Sequence, residues 1–428
     1  MNNKISEILF KIAARKRNPS LFSKYEELKA QEKLSREELL KYQEEQLKLF
    51  LQFCYEKSDF YKNYFDKHDF SPYDSNFIES YNKLPELYKS DLLANNEAIH
   101  TRIGVNTKPA VTSGTSGQAL KFDRSESWDS INRASVMRGY SWHDVNVWER
   151  NGYFWGYNLQ SSDAKKIWLL DFLQNRKRLF RFNKKDIQDF SHTIKKASYV
   201  GGYSSMIYQV AKTSNELGIN FKNIKMVKGT SETILPYYQD EVKKAFGRKM
   251  ISEYGATETG LIAFECEEGS LHVNMENIYL EVNENSDVVV TNFASDTFPI
   301  VKYNIGDMAT LSFDICKCGK EHVLISELIG RKGKNIVGKS EEYPGFTFYY
   351  IFKNILVKYN TKLNYKAVQN VKGTVEMFIE LPEEDEKVRE MIEEQRSSYF
   401  KDDVIFHYTF LSHFSAEKKK TQSFESNL

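Results

Sequence analysis

Residues 111 to 121 read VTSGTSGQALK, and this stretch opens the series of motifs that decides the fold. Within it, four hydroxyl groups and two glycines occupy six consecutive residues. Buried polar atoms need hydrogen-bond partners, so the stretch cannot fill a hydrophobic core. Backbone N–H groups between glycines can converge on phosphate oxygens, and the hydroxyl groups add donors. The stretch is either a phosphate-binding loop or a flexible linker, and it does not match the Walker pattern.

The composition is that of a globular protein with more than one domain. The chain has 428 residues, of which 41% are hydrophobic and 28% are charged. Its formal net charge of +1 gives no basic field that would attract nucleic acid, so no nucleic-acid partner is expected. No uncharged apolar run approaches the ~18 residues of a membrane span, and the N-terminus lacks the apolar core of a signal peptide. We therefore expect a cytoplasmic protein.

The N-terminal segment KISEILFKIAARKR carries a second signal. It places Ile5, Ile8, Leu9 and Ile12 on one helical face, with Lys and Arg on the other face and at the end. Two interpretations stay open at this point. The helix packs its apolar face on its own domain, as amphipathic helices usually do, or it makes a peripheral contact with an anionic membrane surface.

The pattern of apolar residues and glycines changes twice along the chain. Residues 24 to 70 have helical spacing without Gly or Pro, whereas residues 108 to 310 contain short apolar runs between glycine turns and helix-length segments, such as YVGGY, KMISEYG and DVVVTNF. This alternation predicts an α/β domain. After Gly330, YKAVQNVKGTVEMFIEL, an acidic helical stretch and DVIFHYTFL predict a small α+β unit.

Several motifs follow the opening loop in a fixed order. The chain reads EYGATETG at 253–260, YNIGDMA at 303–309 and GRKGKNI at 330–336. Together with TSGTSG, they resemble the successive core motifs of the adenylate-forming superfamily of acyl-CoA synthetases, peptide-synthetase adenylation domains and luciferases. LPELYKSDLL, GGYSSM, TSETI and PIVKYNIGD further resemble the phenylacetate-CoA ligase and CapK (capsular polysaccharide biosynthesis) branch. The resemblance covers the chain from about residue 50 to its end.

This resemblance implies both a fold and a reaction. The fold is α/β, with a large N-terminal domain (residues 1–330) that binds nucleotide and acyl group, and a small mobile α+β C-terminal domain (residues 331–428). The reaction is the activation of a carboxylic acid by ATP and Mg²⁺ to an acyl adenylate and pyrophosphate. The acyl group then passes to CoA, or to an amine or hydroxyl of a sugar precursor or amino acid.

The resemblance also assigns residues to the nucleotide. The residues that would bind the β and γ phosphates are Ser113, Gly114, Thr115, Ser116 and Gly117. The adenine site falls to Tyr254, Gly255 and Thr257 on one side and to Gly229, Thr230 and Ser231 on the other. Glu258 would bind Mg²⁺, for which a carboxylate oxygen is suitable, and Asp307 would accept hydrogen bonds from both ribose hydroxyls. Arg331 would support the ribose or phosphate side.

Two catalytic lysines are implied near the C-terminus. Aligning the final Ser-Asn-Leu with the family's ending puts Lys420 at the position of the catalytic lysine, with Lys418 and Lys419 as alternatives because the usual glycine is missing. Lys334 follows GRKG at the hinge between the domains, where the usual acidic pair is missing. A solvated basic tail is the alternative interpretation of these charges.

Three of the four cysteines lie in one part of the chain. Cys266 precedes His272 by six residues, and Cys316 and Cys318 follow in DICKCGKEH. Two such pairs predict a tetrahedral site of three thiolates and one imidazole, which suits structural Zn²⁺. CxCG also recurs in the phenylacetate-CoA ligase-like branch. His322 is an alternative ligand, and free buried cysteines are the alternative to a metal site.

Other functions and the acyl pocket stay open. The missing tail glycine and altered hinge leave room for a nucleotide-binding scaffold without turnover. A zinc-stabilised interaction module does not explain the ordered nucleotide motifs. Aromatic residues between the loop and the adenine motifs are candidates for an acyl pocket, or for core packing. They are Tyr153, Phe154, Trp155, Tyr157 and Tyr203.

Overall fold

The computed structural model divides the chain into two compact units. It describes residues 2–112, 119–154, 164–180, 184–232, 234, 236–331, 335–343, 345, 347–361, 363, 365–412 and 424–428. The first unit contains Met1–Val111 and Lys121–Ile329, and the second contains Thr112–Leu120 and Gly330–Leu428. The predicted functions of the two domains, and the mobility of the smaller one, stay predictions.

Helices dominate the start of the first unit. They are α1 (Asn3–Arg17), α2 (Leu21–Gln31), α3 (Arg36–Lys57), α4 (Asp59–Lys67), α5 (Phe77–Asn82), α6 (Lys89–Ala94) and α7 (Asn96–Ile99). Local sequence explains where α3 begins. Ser35 and Glu38 form a capping box, in which each side chain accepts a hydrogen bond from the backbone N–H of the other residue.

Strands and crossover helices form the rest of the first unit. The strands up to β7 are β1 (Thr107–Val111), β2 (Lys121–Ser125), β3 (Asn151–Phe154), β4 (Arg176–Arg178), β5 (Tyr199–Tyr203), β6 (Met226–Thr230) and β7 (Met250–Ala256). Between them lie α8 (Glu126–Ser141), α9 (Ala164–Leu173), α10 (Lys184–Ile194), α11 (Ser204–Glu216) and α12 (Pro236–Phe246). The remaining strands are β8 (Gly260–Glu265), β9 (Leu271–Val273), β10 (Ile278–Val282), β11 (Asp287–Asn292), β12 (Ile300–Ser312) and β13 (Leu324–Arg331).

One mixed sheet joins most of these strands. Its order is β10-β11-β12-β13-β9-β8-β7-β6-β5-β3-β4, while β1 and β2 form a separate hairpin. At one side of the sheet, the adjacent strands β4, β3, β5, β6 and β7 are parallel and are joined by helices. Strand β8 is antiparallel to both β7 and β9. Parallel strands need such helical crossovers. The α/β fold class predicted from the sequence is confirmed.

Helix α8 packs on one face of this sheet. Tyr140 and Val145 lie with Tyr199, Met226 and Phe264 in one buried cluster. The approach is close at Gly139, where an added Cβ would lie 2.5 Å from the Phe264 ring. A larger residue at Gly139 would therefore push the helix away from the sheet.

The second unit has its own sheet and core. Its elements are β14 (Ile336–Val337), β15 (Glu342–Tyr343), α13 (Thr347–Tyr359), β16 (Tyr365–Val371), β17 (Thr374–Glu380), α14 (Glu386–Phe400), β18 (Ile405–Leu411) and β19 (Phe424–Ser426). The strand order is β18-β17-β16-β19. Phe348, Ile351 and Ile355 of α13 pack with Val375 and Met377 of β17 in its core, as expected for a small α+β unit.

A buried ion network ties α8 to the loops beside the sheet. Both guanidinium Nη atoms of Arg138 donate to the Glu276 carboxylate, and Nη2 also donates to Asn274 Oδ1 at 2.6 Å. His322 Nε2 lies 2.8 Å from Glu276 Oε1. Burial alone would raise the pKa of Glu276, but Arg138 and His322 hold it well below its usual range. The carboxylate is therefore charged and paired inside the protein.

We expect Glu276→Gln to lower the free energy of unfolding by about 3 kcal/mol, because it removes the hydrogen-bonded carboxylate of the buried Arg138 and leaves only that of Glu32, 3.9 Å from Arg138 Nε. Because the pKa of Glu276 is lower in the folded than in the unfolded protein, its charge stabilises the fold above the unfolded-state pKa, and this stabilisation is lost as the pH falls. The difference in free energy of unfolding between wild type and variant should therefore become smaller at low pH. Urea denaturation at several pH values would measure it.

Glu79→Gln is the matched control, because Glu79 pairs with Lys83 at the surface. Its effect should stay within about 0.5 kcal/mol. Equal effects of the two substitutions, or a gap that does not change with pH, would contradict the assignment of the network.

Candidate active site

Two of the segments assigned to the adenine site end at the same edge of the sheet. Strands β6 and β7 are parallel neighbours, with Thr230 opposite Glu253. In α/β sheets, ligands bind beyond the carboxyl ends of parallel strands. Thr230, Ser231, Gly255 and Thr257 lie at this end, and the last three are exposed. The edge is thus open to a ligand at these backbone positions.

The turn between β7 and β8 holds Glu258. Thr259 Oγ1 accepts a hydrogen bond from Ala256 N at 3.2 Å, and Asn292 Nδ2 donates to Thr259 O at 2.8 Å. An added Cβ at Gly255 would lie 2.3 Å from Gly260 O, so the turn closes only with glycine there. The position of the Glu258 side chain is therefore fixed by backbone contacts on both sides of it.

Two tyrosines connect the YGATE and YNIGD motifs. Tyr254 Oη donates to Asp307 Oδ2 at 2.8 Å, and Tyr303 Oη donates to Glu258 Oε1 at 3.1 Å. In each pair, the tyrosine of one motif binds the carboxylate of the other. Both carboxylates are buried, with exposed fractions of 3% for Glu258 and 8% for Asp307. Each motif therefore orients the acidic residue of the other.

Arg124 lies beside this turn, although no sequence motif indicated it. It follows the hydroxyl-rich loop in β2, and its Nη2 donates to the carbonyl of Thr257 beside Glu258. Its guanidinium group stacks on Phe122 and Trp128, at 5.5 and 5.2 Å from the ring centroids. Tyr303 was quoted in a motif without a role. The signal for Tyr303 was its place four residues before Asp307, whereas Arg124 had none, since its neighbour lies 133 residues away.

Asp307 is also connected to the LPELYKSDLL motif through its strand. Leu87 N donates a hydrogen bond to Lys302 O, and Leu87 O accepts one from Asn304 N, both at 2.8 Å. The PIVKYNIGD and LPELYKSDLL motifs, far apart in the sequence, are therefore paired side by side.

Part of the predicted site lies outside the described residues. This holds for Ser113, Gly114, Thr115, Ser116 and Gly117 of the loop, for Lys334, and for Lys418, Lys419 and Lys420 of the tail. Arg331 ends β13, and its side chain is also outside the description. Their assigned roles stay predictions.

The aromatic candidates for an acyl pocket differ in burial, and Tyr203, at the end of β5, is half-buried. Phe154 is fully buried and packs on Phe190, with ring centroids 5.3 Å apart, so it belongs to the core. Tyr153 is half-buried, and the guanidinium group of Arg176 lies 3.9 Å from its ring centroid. Trp155 and Tyr157 are outside the described residues.

The cysteines and the histidine form a compact cluster at the other end of β8. One ligand atom from each of Cys266, His272, Cys316 and Cys318 lies within 4.8 Å of the others. Cys266 Sγ is 3.7 Å from Cys316 Sγ, and Cys318 Sγ is 3.3 Å from His272 Nε2. Two glycine turns present the thiols, with Gly269 (φ +83°) after Cys266 and Gly319 (φ +77°) after Cys318. Positive φ favours glycine at both turns.

The cluster fits a tetrahedral metal ion. Zn–S bonds of ~2.3 Å place two tetrahedral sulfur ligands ~3.8 Å apart, close to the observed Cys266–Cys316 separation of 3.7 Å. Burial lowers the pKa of His272 to about 3, so its imidazole is neutral at pH 7, which is the form that binds metal. The alternative nitrogen ligand, His322, instead turns its Nε2 to Glu276. The geometry therefore favours His272 over His322.

Comparison with known proteins adds sequence relatives. No protein-family model matches the chain. Protein CapK of Staphylococcus aureus is 23% identical over 330 residues, which cover 72% of this chain and 70% of that protein. Phenylacetate-coenzyme A ligase of Thermus thermophilus is 22% identical over 333 residues, which cover 70% of this chain and 72% of that protein.

Solved structures agree on the fold. 2-Hydroxyisobutyryl-CoA ligase, crystallised in the postadenylation state in complex with R3-HIB-AMP, superposes with a TM-score of 0.58 at 14% identity. The match covers 90% of this chain and 89% of that one. Together with the two sequence relatives, this similarity confirms the resemblance that the ordered motifs gave.

We expect the purified protein to contain about one zinc ion per chain, measured by inductively coupled plasma mass spectrometry. Cys316→Ser removes one ligand and should lower both the zinc content and the melting temperature, since a structural metal stabilises the fold that binds it. Cys54→Ser is the control, because Cys54 is buried in α3 outside the cluster. Full zinc content in the Cys316 variant would contradict the site.

Proposed function

We propose that this adenylate-forming ligase, of the phenylacetate-CoA ligase and CapK branch, activates a small carboxylic acid with ATP and transfers the acyl group to an acceptor. The observation that carries the proposal is the crosswise pairing of Tyr254 with Asp307 and of Tyr303 with Glu258. It brings the carboxylates of two separate motifs to one open sheet edge, where the resemblance puts the nucleotide.

In this proposal, backbone groups and one carboxylate bind the nucleoside. Thr230 and Ser231 line one side of the adenine site, and Gly255 and Thr257 line the other. Asp307 accepts hydrogen bonds from the ribose hydroxyls, and the hydrogen bond from Tyr254 holds its carboxylate in place. Preformed geometry of this kind lowers the entropic cost of binding.

Glu258 is the proposed Mg²⁺ ligand. Within the described part of the chain it accepts one hydrogen bond, from Tyr303 at Oε1, so Oε2 can bind a hard cation. When bound, Mg²⁺ would neutralise phosphate charge as the pyrophosphate leaves. Arg124 adds positive charge beside the same turn and fixes the Thr257 carbonyl.

The remaining roles are carried over from the resemblance. Ser113 to Gly117 would bind the leaving pyrophosphate through backbone N–H groups and hydroxyls. Lys420, with Lys418 and Lys419 as alternatives, would stabilise the developing charge during adenylation. Arg331 would contact the ribose or phosphate, and Lys334 would serve as the hinge for movement of the small domain.

Two classes of acceptor are compatible with the site. Similarity to Protein CapK favours an amine or hydroxyl acceptor in surface polysaccharide synthesis, whereas similarity to phenylacetate-coenzyme A ligase favours CoA. We propose the amine or hydroxyl first, because CapK has the slightly higher identity. The cysteine cluster would hold a structural Zn²⁺, since its four ligand atoms leave no open position for substrate.

The test is pyrophosphate release from ATP and Mg²⁺ across a panel of aryl, fatty, amino and uronic acids, with and without CoA. Release with one acid would establish adenylation, and acceleration by CoA would identify a thioester ligase. ATP binding without release from any acid would instead favour a nucleotide-binding scaffold without turnover.

We expect Glu258→Gln and Asp307→Asn each to reduce acid-dependent pyrophosphate release by about a hundredfold or more, because each removes a charged contact to the nucleotide or its metal. Asp314→Asn is the control, since this carboxylate is exposed and binds Ser312 at the surface. Normal turnover in both site variants would overturn the proposal.

Tyr303→Phe tests the crosswise pairing itself. It leaves Glu258 in place but removes its hydrogen bond, so we expect a loss of about tenfold in kcat/KM for ATP. Raising the Mg²⁺ concentration should partly restore the rate if Tyr303 acts by orienting a metal ligand. Tyr73→Phe, at an exposed tyrosine that donates to Glu56, is the control.

A further inference from the structure

Helix α1 packs on the first unit with the face that lacks its isoleucines. Ser6 and Ala14 are buried, Ser6 Oγ donates to Trp148 O at 2.7 Å, and Phe10 lies 5.5 Å from the Trp148 ring. These residues recur at intervals of four, as expected for one helical face. Helix α1 therefore packs on its own domain, as one of the two interpretations of the sequence predicted, but through Ser6, Phe10 and Ala14 and not through the isoleucines.

The opposite face of α1 is apolar, basic and exposed. Ile5, Ile8 and Ile12 have exposed fractions of 54%, 59% and 61%. On a helical projection, Lys4 and Arg15 flank this row on one side and Lys16 on the other. Lys4, Arg15 and Lys16 are exposed and make no ion pair with any residue that the structure describes. The row therefore combines apolar side chains with available positive charge.

Helix α9 exposes a second apolar surface. Its sequence is AKKIWLLDFL, and the exposed large side chains are Trp168 (67%), Leu169, Leu170, Phe172 and Leu173. Trp168 and Phe172 stack on each other, with ring centroids 5.8 Å apart. Contiguous apolar groups of this kind are rare on a free protein surface and mark interaction sites.

The orientation of α9 is fixed by its one acidic residue. Asp171 is buried and pairs with Arg178 through two hydrogen bonds of 2.7 and 2.9 Å. This ion pair holds the side of the helix that carries Asp171 against β4, whereas Leu169 and Leu173, on the opposite side of the helix, are exposed. The exposure of Trp168 and its neighbours is thus built into the packing of the helix.

The two surfaces are neighbours. Helices α1 and α9 contact each other, and Asn175 Nδ2, just beyond α9, donates to Asn3 Oδ1 at 3.3 Å. Lys177, between Asn175 and the end of β4, is exposed and has no ion-pair partner among the described residues. We name this combined surface, formed by the exposed side chains of α1 and α9, the α1–α9 surface.

We propose that the α1–α9 surface docks on an anionic lipid bilayer, as a peripheral contact that inserts Ile5, Ile8, Ile12, Trp168 and Phe172 below the headgroups. Aromatic and aliphatic side chains suit the interfacial region of a bilayer, and lysines and arginines attract anionic headgroups. Within the described residues, no helix is both long and apolar enough to cross a membrane. The contact would lie along the surface.

Charge favours a lipid surface over a second copy of the chain. Helix α1 contains one acidic residue, Glu7, which is paired with Lys11. Its basic residues are Lys4, Lys11, Arg15, Lys16 and Arg17. Two copies brought together through this face would place these like charges opposite each other. An anionic bilayer instead offers complementary charge around an apolar interior.

Vesicle co-sedimentation tests the proposal with the full-length protein. We expect binding to vesicles of phosphatidylcholine with phosphatidylglycerol, and at least about tenfold weaker binding to phosphatidylcholine alone. Raising the salt concentration should weaken the first interaction, because exposed charges are screened. Equal binding to both kinds of vesicle, or binding to neither, would overturn the proposal.

Two variants separate the apolar and basic contributions. Trp168→Ser with Phe172→Ser should reduce binding to anionic vesicles by about tenfold or more, and so should Lys4→Gln with Arg15→Gln and Lys16→Gln. Leu49→Ser with Phe313→Ser is the control, because these side chains are as exposed but lie outside the α1–α9 surface. Circular dichroism and the melting temperature should be unchanged in all three variants.

The occupant of the surface is decided by one further measurement. Analytical ultracentrifugation without lipid should give the same oligomeric state for wild type and the Trp168 variant. A dimer that dissociates on Trp168→Ser, together with no vesicle binding, would overturn the proposal in favour of a second copy of the chain. None of these readouts requires ligase activity, so failure here is distinguishable from failure of the proposed reaction.

Discussion

A carboxylate that is removed from water must be hydrogen-bonded or paired with a cation, and this requirement determines how the large sheet is held together. Glu276 is paired with Arg138 of α8, which ties that helix to the loops beside β9 and β10. Glu258 and Asp307 are satisfied by tyrosines instead. A neutral partner leaves the negative charge available to a cation or a sugar hydroxyl, whereas the arginine neutralises it. The same requirement is thus met by a cation at Glu276 and by neutral hydroxyl groups at Glu258 and Asp307.

Strand β8 connects the two chemically distinct parts of the first unit. The turn with Glu258 precedes this strand, and Cys266 follows it. Its six residues span ~20 Å, so the cysteine cluster is too far away to take part in chemistry at Glu258. A metal ion there would instead fix the far end of the strand that positions the carboxylate. The thiols and the Glu258 carboxylate are therefore close in sequence but lie at opposite ends of the strand.

Sequence motifs predicted most of the components but few of the contacts between them. The order of the motifs predicted the fold and the residues at the strand ends, and the placement of Cys266, His272, Cys316 and Cys318 predicted the cluster. The pairing of Tyr303 with Glu258 depends on β12 approaching the turn after β7, which no local pattern encodes. The isoleucines of α1 show a different limit. Periodicity identifies an apolar face but not its neighbour, and here Phe10 and Ala14 provide the packing face.

The pairing of Leu87 with Lys302 and Asn304 has a consequence for how the chain folds during synthesis. Leu87 forms these backbone hydrogen bonds only after β12 has emerged from the ribosome, and β9, although it pairs first with β8, gains its second neighbour only with β13. Contacts with such long sequence separation close slowly, because the intervening loop loses much entropy. The segment around Leu87 therefore reaches its final position only after most of the first unit has been translated, whereas α2 can already pack on α8. Leu84 and Leu87, which are buried in the folded protein, stay accessible during that interval, and they expose apolar surface of the kind that chaperones bind.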